Sequence, residues 1–117
     1  MTVKTVPAKL ARQARDLIEA FNHVVLDEAK SLLAPTLSED TQALRSLVDR
    51  LPRAFEQTAE VLEMLAANDK IMLEQGRDPK AEAATTAAEL RTVAADSEQL
   101  AKSLANPAPA LVLMGGR

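Results

Sequence analysis

The stretch Leu44–Met72, LRSLVDRLPRAFEQTAEVLEMLAANDKIM, decides the fold. Apolar side chains recur along it in steps of four and three, at Leu44, Val48, Leu51, Phe55, Leu62, Leu65 and Met72, with Thr58 and Asp69 at the two remaining positions. A repeat held for about four heptads means a helix packed on other helices.

Composition agrees. The chain has 117 residues, so one domain with a modest core is expected. Phe21 and Phe55 are its only aromatic residues, and its apolar content is mostly Ala and Leu, both strong helix formers. No window alternates as a strand would. The expected fold is all-α.

Working outward from Leu44–Met72, Ser38-Glu39-Asp40 reads as the start of the helix. Ser38 would cap the first N–H groups and the two acids would suit the positive end of the helix dipole. Gly76 reads as the left-handed residue that ends this helix near Gln75. Pro52 interrupts it. The heptad phase runs through the proline, so a kink is expected, and a full break would divide the segment in two.

Before it, a first helix is expected from Pro7 to Ala34, with Leu10, Ala14, Leu17, Ile18, Phe21, Val24, Val25 and Leu32 on its buried stripe and Pro35 as its stop. After it, Asp78-Pro79 reads as cap and first-turn proline of a third helix reaching Ala105. Its stripe is rich in alanine: Ala83, Ala87, Leu90, Val93, Ala94, Ser97, Leu100, Ala101 and Leu104. Asn106-Pro107-Ala108-Pro109 reads as a linker to an extended tail. Short connections make neighbouring helices antiparallel. The expected architecture is an antiparallel three-helix bundle over residues 7–105 with a long, Pro52-kinked middle helix, or four segments if the kink is a break. Residues 1–6 form a lead and residues 106–117 a linker with an apolar tail.

The net charge of −3 is unevenly placed. Lys4, Lys9, Arg12 and Arg15 stand in residues 1–15 without an acid, whereas residues 36–78 hold nine acids against five bases. An acidic chain is a poor general phosphate binder. The longest apolar run, Ala110–Met114, is far too short to span a membrane, and basic residues interrupt the start too soon for an export signal. A cytoplasmic location is expected.

Little in the chain supports catalysis. Cysteine is absent, the three glycines form no phosphate loop, and no paired-histidine metal motif exists. No cofactor and no enzymatic activity are expected. The lone histidine, His23, shares a helix face with Glu19 and Asp27. That face reads as a surface charge ladder, since one helix rarely supplies the ligands of a dedicated metal site. Histidine phosphotransfer domains are helical bundles of this size, but they place Lys and Gly three and four positions after the histidine. Here Leu26 and Asp27 stand there, and an acid so close would repel a phosphoryl group.

Two features point to contact between proteins. Met64 and Ile71, seven apart, lie away from the heptad seam, and with Met72 and Leu73 they make the end of the middle helix apolar most of the way round. This end is either covered by the third helix or open to a partner, a role that methionine suits. The second feature is Leu111-Val112-Leu113-Met114, an apolar run on a Pro-Ala-Pro spacer that folds back on the bundle, docks in a groove or remains a disordered tail. Asp69, at a core-type heptad position, either sets register or faces water.

The expected function is therefore a non-enzymatic interaction module: a small helical adaptor, chaperone or structural subunit of a larger bacterial assembly. It self-associates through Met64, Ile71, Met72, Leu111, Val112, Leu113 and Met114. The alternatives are a dimeric nucleic-acid-associated regulator using the basic N-terminus and, more remotely, phosphotransfer through His23.

Overall fold

The computed structural model describes residues 6–27, 34–73 and 76–114, and every regular element among them is a helix. In chain order these are α1 (Val6–Asp27), α2 (Ala34–Val48), α3 (Leu51–Ala67), α4 (Pro79–Ser103) and the short α5 (Pro107–Val112). The chain forms two compact units, residues 1–33 and 34–117.

The first unit contains α1. Pro7 lies in its first turn, where a missing N–H costs nothing. Its apolar stripe is Leu10, Leu17 and Val24, all exposed, with Ile18, Phe21 and Val25 half-buried. Residues 28–33, through which the first helix was expected to continue, lie outside the described residues. Pro35, expected as its stop, instead occupies the first turn of α2. Ser38, expected as a cap, lies inside α2 and is buried.

In the second unit the expected long middle helix is broken rather than kinked. Pro52 has no N–H for the ladder, and the chain turns at Asp49-Arg50 before α3 begins. The Asp49 N–H donates to Arg45 O at 2.9 Å, and the Arg50 N–H tightens onto Leu47 O at 3.1 Å. Arg50 seals the end of α2 with its side chain, Nη1 donating to the backbone O and the Oγ of Ser46 at 2.6 and 2.7 Å.

α3 also ends earlier than expected, at Ala67. Asp69, and not Gly76, is the left-handed residue that stops it, with φ of 56°. The Lys70 N–H donates to Leu65 O at 2.8 Å and the Asp69 N–H to Ala66 O at 3.2 Å, the paired bonds of a Schellman cap. Short Asn and Asp side chains tolerate the left-handed region better than most, so Asn68-Asp69 ends the helix before glycine is reached. Gly76 has φ of 68° but sits in the connection to α4.

α4 matches its sequence signals. The Asp78 carboxylate accepts from the Lys80 N–H at 3.1 Å and Pro79 opens the helix. The expected extended tail is corrected, since residues 107–112 are helical. Pro107 and Pro109 both fall in the first turn, where no N–H has a partner within the helix.

α3 packs on α4, and α2 packs on α5 and touches α3 and α4. The end of α3 (Glu63, Ala66, Ala67) and the start of α4 (Lys80, Ala83, Ala84) line one shallow hollow, so this pair is antiparallel. The seam is alanine. Among the described residues, Ala59 and Ala66 of α3 and Ala83, Ala87, Ala94 and Ala101 of α4 are the buried apolar ones, and no large side chain is fully buried. Small side chains let two helices approach closely but bury little area.

Candidate interaction surface

The α3–α4 pair has two unlike sides. Helical periodicity puts Glu56 and Glu63, seven apart, on one flank of the Ala59–Ala66 seam. Across that flank Arg91 of α4 reaches both. Its Nη2 donates to Glu63 Oε1 at 2.5 Å, and its Nε lies 3.4 Å from Glu56 Oε2. The hydrogen bond from Arg91, reinforced by its charge, holds the Glu63 carboxyl below the usual carboxylate range against an opposing effect of burial. The same bond raises the guanidinium of Arg91. This side is polar and its charges are paired within the hairpin.

The other flank is apolar and open. Val61 and Leu65 of α3 are 52% and 42% exposed, and Val93 and Leu100 of α4 are 43% and 51% exposed. Leu62 and Leu90 lie half-buried between these rows and the alanine seam. Val93 and Leu100 belong to the stripe expected to be buried, yet α3 covers only its alanine half. The signal in the sequence was the width of that stripe: residues from Ala83 to Leu104 span more of the helix than one neighbour can cover.

The partner-binding residues expected from sequence are placed as follows. Met64 is exposed on α3, but the helix ends before Ile71, so the two do not form a seven-residue step on one helix. Ile71 is half-buried, and Met72, in the link after α3, is 92% exposed. Leu111 is half-buried on α5, whereas Leu113 and Met114 just beyond it are exposed. Val112 ends α5, and its side chain lies outside those described. Asp69 is exposed and has the capping role described above.

On α1, His23, Glu19 and Asp27 are exposed. Among the described residues no three His, Cys, Asp or Glu side chains stand where they would hold a metal ion. Lys9, Arg12 and Arg15 are exposed, three residues apart along one side of the helix, and Arg15 pairs with Asp16 at 2.9 Å. Lys4 lies outside the described residues. No helix among those described is long and apolar enough to cross a membrane.

No family model matches the chain, and neither the curated proteins nor the solved structures give a match.

Proposed function

We propose that this chain is a non-enzymatic interaction module that works by contact, and that the contact it makes first is with itself. The observation that supports this is the mismatch between core and surface. Among the described residues the buried apolar side chains are all alanines, while Val61, Met64, Leu65, Met72, Val93, Leu100, Leu113 and Met114 are exposed. A small core contributes little stability, and association buries more apolar surface. In this reading the module is an adaptor, chaperone or structural subunit of a larger assembly. Its contacts are the open flank of the hairpin, the Met72 link and the Leu113-Met114 end. Helix α1, with Leu10, Leu17 and Val24 exposed, offers a further apolar row.

The test is solution mass by light scattering for the full chain and for Met72→Glu and Leu113→Glu variants. The reading expects an oligomer for the full chain, with at least one variant shifted towards the single-chain mass. A full chain that stays a single copy at every concentration, and that binds no other protein, contradicts it.

A further inference from the structure

We infer that α1 pairs with α1 of a second copy, the two helices antiparallel and joined along their apolar faces. This deepens the self-association reading, rests on it and assigns one of its contacts.

The face follows from the spacing. Leu10, Ala14, Leu17, Phe21 and Val24 succeed one another in steps of four and three, the repeat by which two helices pack along a seam. Leu10 is 59%, Leu17 71% and Val24 52% exposed. A helix of 22 residues draws most of its stability from packing such a face. About a midpoint at Leu17, a reversed copy sets Leu10 level with Val24 and Leu17 with Leu17, and it brings the large Phe21 beside the small Ala14.

Charge selects both the occupant and its direction. Residues 6–15 hold Lys9, Arg12 and Arg15 and no acid, whereas residues 16–27 hold Asp16, Glu19 and Asp27 and no Lys or Arg. A reversed copy lays each half beside its opposite. An anionic lipid surface would attract the first half and repel the second. The match is also local. Lys9 and Asp27 are eighteen positions apart, five full turns, so both lie on one line along the helix, at the border of the apolar face next to Val24. In an antiparallel pair, two-fold symmetry brings that border against itself. With Leu17 at the midpoint, Lys9 falls within two positions, about 3 Å along the axis, of Asp27 of the second copy. The pair is made twice. In a parallel pair the Lys9 border would meet the opposite one, which carries Arg15, and like charges would repel. In the antiparallel pair Arg15 keeps its bond to Asp16 of its own helix.

The chain has no cysteine, so introduced thiols report contacts without background. Gln13 and Ala20 are exposed and follow the Lys9 border of the apolar face. In the antiparallel pair, Gln13 of one copy stands within one position of Ala20 of the other. Full-length chains carrying Gln13→Cys and Ala20→Cys separately are mixed and oxidised mildly, and their mass is read without reductant. The expected result is a disulfide-linked dimer of the two different chains, with each variant alone left uncrosslinked. Alone, its two thiols stand about 9–12 Å apart along the axis, beyond disulfide reach. As a second arm, Lys9→Glu should weaken association by about tenfold, and Asp27→Lys in the same chain should restore it. Both positions are exposed, and the restoration separates a broken pair from a lost fold. Crosslinking of either variant alone as efficient as that of the mixture overturns the antiparallel pairing. Failure of Asp27→Lys to restore association overturns the register. An oligomer by sedimentation that the mixture fails to crosslink overturns this surface and leaves self-association standing. A single-chain mass throughout overturns both.

Discussion

Arg91 on α4 donates to Glu63 on α3 at 2.5 Å while its Nε lies 3.4 Å from Glu56, one guanidinium spanning two carboxylates a heptad apart. This clamp sets the register of the hairpin on its polar side, which the alanine seam alone would leave weakly specified. The pairing also gives the hairpin a pH dependence. The Glu63 carboxyl is held below its ordinary value of 4.5, so its contribution is fully present above that value and is lost as pH falls through the lowered one. Thermal denaturation followed from neutral to acidic pH should show the midpoint fall through this window, and fall less in Glu63→Gln. Because the pair is exposed, the loss at neutral pH should be small.

The seam tolerates no growth. Ala59 and Ala87 have no exposed surface, so Ala87→Leu should force the helices apart and cost about 1–3 kcal/mol in chemical denaturation. Ala88→Leu, on the exposed face one residue on, should leave stability within about 0.5 kcal/mol.

Asp69 holds a left-handed backbone at the end of α3. Asp69→Gly should keep or raise stability by roughly 0.5–1 kcal/mol, whereas Asp69→Val should lower it by about 1 kcal/mol or more, read from urea midpoints. The opposite signs distinguish a capping role from a charge effect, since both variants remove the same charge.

Asp78 caps α4 through the Lys80 N–H at 3.1 Å. Asp78→Ala should cost about 1 kcal/mol, and Asp78→Ser should recover most of it, measured the same way.

Local signals were read best where one residue type has one use. Asp78-Pro79 marked the start of α4, and its alanine stripe marked the seam, because cap chemistry and small side chains act within a turn or two. Pro52 was visible as a disruption. The heptad pattern runs through it and does not encode whether the helix kinks or breaks, and at the break Arg50 reaches back to Ser46. The early end of α3 was missed because Asn68-Asp69 and Gly76 compete for the same left-handed role and the nearer pair took it. The tail was misread because two prolines suggest extended chain, yet both fit a first helical turn. The open flank was hidden for a different reason. Val93 and Leu100 carry the same signal whether the neighbour is their own chain or another copy.

The most direct measurement is sedimentation equilibrium of the full chain beside its Leu17→Glu variant, over a hundredfold range of concentration. The account predicts a wild-type mass twice the 12.6 kDa of the chain and a variant at the single-chain mass. A wild type that remains at 12.6 kDa throughout would contradict it.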